Sequence, residues 1–217
     1  YFCEVQSLYA PNIVAGFARL DGRSVGIVAN NPVVACGSLD ANACDKTAHL
    51  IRFCDCFNIP IVFLVDTPGF LPSKEQEQSK DGLERHAAKP VFAICESTVP
   101  KITLYLGKCY GAGRLAMGTE AMGVDAVYAW PTAELRVLGL EEAAKAIYQK
   151  EIAAASNPEE LIKAKVEELN RTFAEPYHSA SILACEDIID PRDTRPTLIR
   201  TLDRLSRKLE PSRLRSK

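Results

Sequence analysis

No apolar run in this chain is long enough to cross a bilayer. The longest, Ile59–Val65, contains Pro60 and falls far short of the roughly 20 residues a spanning helix needs. Neither sign of charge is in excess. The 26 basic and 28 acidic residues leave a net −2, so the whole chain has no electrostatic footprint for nucleic acid. There is no Cys-x-x-Cys pair and no cysteine–histidine cluster with zinc spacing. Cys54-Asp55-Cys56 is too close for the usual site, and no metal is expected. Histidine is scarce: His49 falls in a helical stretch, His86 reads as a capping or surface residue, and His178 reads as a late loop. None has an obvious Ser or Cys nucleophile with a third, orienting group, and there is no Gly-x-Ser-x-Gly elbow, so a side-chain triad is set aside. Internal repeats and low-complexity segments are also missing.

What is there is ordinary globular composition: 217 residues, 47% hydrophobic and 25% charged, enough to bury a sizeable core without disulfide staples. The eight cysteines are scattered, several within apolar runs. With no signal-peptide pattern, they are expected to be reduced core residues of a cytoplasmic protein.

The pattern along the chain alternates. Ile13–Leu20 and Ser24–Asn30 read as a hairpin joined by Asp21-Gly22. A further apolar run, Val33–Cys36, precedes Ser38 and Asp40, either of which suits the cap of a helix carrying Leu50, Phe53, Cys54 and Phe57 on one face. Ile61–Val65 reads as a buried parallel strand, Ser73–Lys80 as a charged surface loop, and Gly82–Glu96 as a helix interrupted or kinked near Pro90. Strands Lys101–Leu106 and Ala126–Ala129 follow, with a helical stretch to about Thr119 between them. Beyond Gly139 the chain turns helical: Glu141–Ala155, then a helix opened by Ser156-Asn157-Pro158, then one after Asp193 in a basic tail. This is an α/β domain with a parallel sheet, expected as one unit over residues 1–217, with a core over about 10–140 and a helical region over about 140–217.

Two motifs carry chemistry. Val65-Asp66-Thr67-Pro68-Gly69, a strand running into D-T-P-G, is what GTPases use to hold magnesium. No Gly-rich P-loop ending in Gly-Lys-Ser/Thr and no Asn-Lys-x-Asp accompanies it, so that reading is discarded. Tyr110-Gly111-Ala112-Gly113 sits where a strand runs into a helix. Small residues there admit a ligand to the backbone, and a helix start offers unpaired N–H groups to a developing oxyanion. The turn at Gly69-Phe70 adds a second set of amides. Turns that end neighbouring parallel strands fall on one edge of the sheet, where ligands of α/β sheets bind.

These motifs, with Ala10-Pro11-Asn12-Ile13, Ile51-Arg52-Phe53-Cys54-Asp55, Phe57-Asn58-Ile59-Pro60, Arg85-His86-Ala87-Ala88-Lys89, Trp130-Pro131-Thr132-Ala133-Glu134 and Asp190-Pro191-Arg192-Asp193-Thr194-Arg195, resemble the C-terminal half of the carboxyltransferase (β) subunit of biotin-dependent acyl-CoA carboxylases. That family includes the propionyl-CoA and methylcrotonyl-CoA carboxylases and the α subunits of sodium-pumping acyl-CoA decarboxylases. The resemblance implies a crotonase-like ββα superhelix, the second of two such domains, with the first, acyl-CoA-gripping domain absent from this chain. It implies transfer of a carboxyl group between carboxybiotin and an acyl-CoA, with backbone amides rather than side chains as the catalytic groups. Carried over by position, Ala112 and Gly113 supply the catalytic amides, Gly69, Phe70, Tyr110 and Gly111 line the biotin site, and Leu115 faces the acyl pocket. Gly111-Ala112-Gly113-Arg114-Leu115 departs from the Gly-Gly-Ala-Tyr-Asp of propionyl-type members, and Arg136 and Leu138 replace small and Met residues, so acyl preference does not transfer. The implied partners are a biotin carboxyl carrier protein or domain, a biotin carboxylase or membrane decarboxylase subunits, the N-terminal half of its own subunit, and further copies in a homo-oligomer. Two other readings stay open: a non-catalytic biotin-binding or assembly half, and a crotonase-type hydratase or isomerase, for which Glu134 is the one acidic candidate.

Overall fold

The computed structural model describes residues 1–71, 82–155, 157–172 and 176–206. The expected loop Ser73–Lys80, Ser156 and the end of the basic tail lie outside them. One sheet organises the chain. Strands β1 (Phe2–Glu4), β2 (Ile13–Leu20) and β3 (Arg23–Asn30) are antiparallel neighbours. β4 (Ile61–Thr67), β5 (Lys101–Tyr110), β6 (Ala126–Ala129) and β8 (Asp187–Ile188) then continue the sheet in parallel. β7 (Glu134–Arg136) lies off this path and pairs with the far end of β5. The β2–β3 turn is Asp21-Gly22, both at positive φ (49° and 76°), the geometry whose twist matches a tight hairpin.

The central strands are buried on both faces because helices cover both. On one side α1 (Ala41–Cys56) and α2 (Leu83–Glu96) pack over Val28, Ile61, Phe63 and Val65. On the other, Val25, Val62, Ile102 and Leu104 meet Leu198 and Leu202 of a C-terminal helix, Thr194–Leu205. Alternate residues of β4 thus feed two cores, which is why its sequence is continuously apolar. Asp40 caps α1 by accepting the Ala43 N–H at 2.7 Å. Pro90 sits within α2, which continues through it to Glu96. Lys46 on α1 is 2% exposed and gives its ammonium to the carbonyls of Tyr9 (2.7 Å), Ala10 (3.3 Å) and Ile13 (2.7 Å), fastening the turn that feeds β2.

After β5 come a short helix α3 (Gly111–Ala116), then α4 (Leu140–Ile147), α5 (Gln149–Ala154), α6 (Pro158–Thr172) and α7 (Tyr177–Ser181). The C-terminal helix is α8. Asn157 opens α6 reciprocally: its Oδ1 accepts the Glu160 N–H and its Nδ2 donates to Glu160.

Several expectations need correcting. The helix expected over Glu141–Ala155 breaks at Tyr148 into α4 and α5. His178 is in α7 rather than a loop. His86 is neither cap nor surface residue: its Nδ1 lies 2.9 Å from Asp45 Oδ1, and Lys89 Nζ is 2.7 Å from the same oxygen. The sequence is indeed apolar over Val33–Cys36, but the run stays at the surface: Val33 is exposed and Ala35–Gly37 forms a tight turn with three successive positive φ values. Only half the cysteines are core. Cys44, Cys54, Cys109 and Cys185 are buried, Cys3, Cys36, Cys56 and Cys95 are exposed, and all eight are free thiols. No helix among the described residues is long and apolar enough to cross a membrane.

Candidate functional site

β4 and β5 run side by side, so their C-terminal turns, Asp66–Phe70 and Tyr110–Gly113, emerge together at one edge of the sheet. The pairing passes from Val65 opposite Tyr105 to Thr67 opposite Cys109, leaving extra residues of β5 in a bulge. Asp66 holds that bulge. Its Oδ1 accepts the Lys108 N–H at 3.0 Å, its carboxylate lies over Gly107, and its own N–H donates to Asn30 Oδ1 at 3.1 Å. Thr132 donates to the Leu106 carbonyl on the same bulge at 2.7 Å. The aspartate of D-T-P-G is therefore a backbone brace here, which removes the remaining appeal of a GTPase.

The first turn is closed locally. Gly69 N–H lies 3.2 Å from Thr67 Oγ1, and Leu39 brackets Phe70 by donating to the Gly69 carbonyl and accepting from the Leu71 N–H. The Gly69 amide is thus in use, and Phe70 carries the N–H of this turn that has no partner among the described residues. Gly69 has φ +125°, a conformation that favours glycine, with open space where a Cβ would be: its nearest neighbour would be the Tyr110 carbonyl at 3.9 Å. The second turn has the reverse constraint. A Cβ on Gly113 would meet the Gly69 Cα at 2.6 Å, so the two turns touch through the one residue type that permits it. The first N–H groups of α3, at Gly111, Ala112 and Gly113, have no acceptor within the helix.

On the other side of α3 lies a cavity of about 890 Å³. Gly111, Ala112, Arg114 and Leu115 form one wall, Leu135–Leu138 of β7 and its exit a second, and α4, α6 and the stretch through α7 to Ala184 the rest. The structure therefore splits the expected site. Gly111, Ala112 and Leu115 line the cavity, whereas Gly69, Phe70 and Gly113 lie outside its lining, at the contact between the turns. Tyr110 sits beside the cavity with its hydroxyl bonded to Glu134. Burial first, then that carboxylate, pushes the phenol above its ordinary range. Glu134 is also 3.7 Å from Arg136, so the acid a hydratase would need is already engaged.

β7 was not foreseen, although it brings Glu134 and Arg136 to one face beside Tyr110. The signal available was the i, i+2 spacing of Glu134 and Arg136 around the apolar Leu135. Among the described residues there is no cluster of three or more metal-ligating side chains.

The carboxyl transferase domain model matches residues 1–217. This chain belongs to the carboxyl transferase domain family. The methylmalonyl-CoA carboxyltransferase 12S subunit of Propionibacterium freudenreichii subsp. shermanii is 51% identical over 202 residues, 93% of this chain and 38% of that protein. The methylmalonyl-CoA decarboxylase α subunit of Veillonella parvula is 47% identical over 209 residues, 96% of this chain and 39% of its own length. Among solved structures, a transcarboxylase 12S hexamer with methylmalonyl-CoA and methylmalonic acid bound superposes with a TM-score of 0.92 at 48% identity, covering all of this chain and 41% of that one. The fold of the carboxyl transferase domain is accordingly crotonase-like. The chain spans about two fifths of the length of the relatives it matches.

Proposed function

We propose that this chain is the biotin-side domain of a biotin-dependent acyl-CoA carboxyltransferase, moving a carboxyl group between carboxybiotin and an acyl-CoA. The observation that carries this reading is the contact of the two turns: the Gly69 backbone against Gly113, next to the first amides of α3. The cradle suits a flat ureido ring, since the positions that would crowd it are glycine and the space beside Gly69 is open. Biotin, when bound, supplies the nitrogen that carries and releases the carboxyl group.

This chain's own part is electrostatic. Amides of Ala112 and Gly113, held by α3, face an oxyanion without having to reorganise, and one such donor is worth about 10²–10³ in rate. Phe70 N–H is held by the Leu39 bridge as a further donor. Leu115 and the apolar walls of the cavity keep water from the acyl group. The transcarboxylase 12S relative assembles as a hexamer. The cavity mouth here carries exposed Val137, Ile147, Ile182 and Leu183, an apolar surface of the kind that partner domains cover. We read that surface as the seat of an acyl-CoA-binding domain, and the protein as a homo-oligomer that works with a biotinyl carrier. The decarboxylase α subunits run the same transfer in the direction of carboxyl loss, and the match to the Veillonella parvula protein keeps that direction as the second reading.

The test combines the chain with an acyl-CoA-binding domain, a biotinyl carrier and methylmalonyl-CoA, and follows formation of propionyl-CoA. Turnover is expected with that domain present and is expected to fall by about 10²–10³ when the Ala112 amide is replaced by an ester, which deletes one N–H and leaves the side chain. Unchanged turnover in the folded ester variant would place the oxyanion donors elsewhere. No turnover in any combination, with biotinyl carrier still bound, would leave the chain a non-catalytic assembly half.

A further inference from the structure

Tyr110 is the residue from which α3 departs. Its backbone is extended (φ −103°, ψ 140°), and its side chain makes no capping bond to the helix. The phenol instead reaches across to β7, where Glu134 Oε2 accepts its hydroxyl. In the β5–β7 pairing Tyr110 stands opposite Arg136 and Lys108 opposite Glu134, so this bond runs diagonally and straps the last residue of β5 to the first of β7. One residue on, Gly111 is at φ +52°, and a Cβ there would meet the Val137 carbonyl at 3.0 Å. A Cβ on Gly139 would come within 4.0 Å of the phenol ring. β7 and its exit therefore wrap Tyr110 and Gly111. Arg136 Nη1 stands 3.7 Å from the same Glu134 oxygen as a countercharge, and its Nη2 donates to Asn170 of α6 at 3.2 Å. Neither Tyr110 nor Glu134 belongs to either core, so the strap is local and carries little of the chain's stability.

We propose that Glu134 is a positioning residue, fixing through the Tyr110 hydroxyl where α3 begins and so where the amides of Ala112 and Gly113 stand. The inference rests on the reading of those amides as oxyanion donors and adds a residue to the machinery of that site. Such donors work because they need not reorganise, and a misplacement of about 1 Å can cost 10²-fold in rate. Gly111, between Tyr110 and the two amides, has no side chain with which to brace the turn, and glycine is the residue freest to wander. The brace must come from the cap residue, and the phenol is the only side chain that residue has. In this role the carboxylate accepts a hydrogen bond and neither gives nor takes a proton, which separates it from the acid of a hydratase.

The experiment measures carboxyl transfer by the chain combined with an acyl-CoA-binding domain and a biotinyl carrier. Tyr110→Phe and Glu134→Ala are each expected to lower kcat about 10–100-fold. KM for the biotinyl carrier should change little, because an interaction spent on the transition state acts on kcat. The double variant should be no slower than either single one, since both remove the same bond. Glu134→Gln should keep most of the rate, because its amide oxygen still accepts the phenol. Glu134→Gln as slow as Glu134→Ala would make Glu134 a proton carrier and overturn the inference, as would full kcat in Tyr110→Phe. Should Glu134→Ala fail to fold, Tyr110→Phe, which removes a single oxygen, carries the same test. The ¹⁵N amide signals of Ala112 and Gly113, read in the chain alone, need no turnover. They are expected to broaden in Glu134→Ala and to stay sharp in Glu134→Gln. Broadening in a system whose parent transfers no carboxyl group keeps the positioning and sinks only the proposed reaction. Transfer by the parent that Tyr110→Phe and Glu134→Ala leave unaltered sinks only the positioning.

Discussion

The Cβ that Gly113 lacks would stand 2.6 Å from the Cα of Gly69 and 3.1 Å from its carbonyl carbon. Backbone, unlike the tip of a flexible side chain, cannot swing aside, so the two turns are spaced by the absence of a methyl group. Gly113→Ala is expected to cost about 1–3 kcal/mol, the usual penalty of overpacking, and to pull the turns apart. Gly123→Ala is the control. Its φ of +73° makes alanine strained, at about 1–2 kcal/mol, but nothing lies within 4 Å of the added atom. Urea midpoints should fall in both, whereas biotin binding should weaken only in Gly113→Ala. Equal behaviour of the two variants would remove the contact from the account of the site.

Asp66 leads to a second expectation. Its carboxylate accepts the Lys108 N–H in the β5 bulge. Asp66→Ala leaves that amide without its acceptor, at a cost of about 1–3 kcal/mol. Amide exchange at Lys108 should accelerate along with the loss of stability. Guanine nucleotide binding is expected in neither parent nor variant, because this carboxylate braces backbone and no P-loop accompanies it. Saturable GTP binding that vanished with Asp66 would reverse this assignment.

Asp45 governs a third, on the acid side. Burial pushes its carboxyl up, but hydrogen bonds from Lys89 and His86 outweigh that and hold it below the ordinary carboxylate range. Its folded pKa lies below its unfolded one, so the unfolded chain takes up the proton first as pH falls. The stability from this cluster is complete above about pH 4 and is lost as pH drops through the lowered value. Asp45→Asn should lower stability at neutral pH and flatten its decline below about pH 4. Denaturant midpoints measured from pH 2 to 7 decide it, and an unchanged acid limb would exclude Asp45 as a contributor.

Much of the fold is legible in the sequence where an element's own residues dictate it. Ile61–Val65 and Ala126–Ala129 are β-branched or apolar runs, and Asp40 announces its cap, so these elements lie where the spacing puts them. β7 and β8 are different. With three and two residues they have too little pattern of their own, and they exist because β5 and β6 offer edges to pair with. The last four residues of β5, Gly107-Lys108-Cys109-Tyr110, are no apolar run either, and their course depends on Asp66 and Thr132, distant in sequence. The site follows the same division. Two glycine-bearing turns on one sheet edge follow from strand order. Their separation from the cavity wall, and the meeting of Tyr110, Glu134 and Arg136, depend on the bulge. Half of the cysteines are exposed because they fall on an edge strand, a turn and helix faces that composition cannot orient.

The three carbonyls around Lys46 have a consequence for labelling chemistry. An amine whose hydrogens are all engaged, on a residue 2% exposed, cannot meet an acylating reagent while the turn at residues 9–13 stays closed. Surface lysines such as Lys145 have no such shelter. The rate at which Lys46 alone becomes acylated therefore serves as a clock for the release of β2 from α1. That clock can be read by mass spectrometry in any oligomer the chain forms, without a fluorophore or a change of sequence.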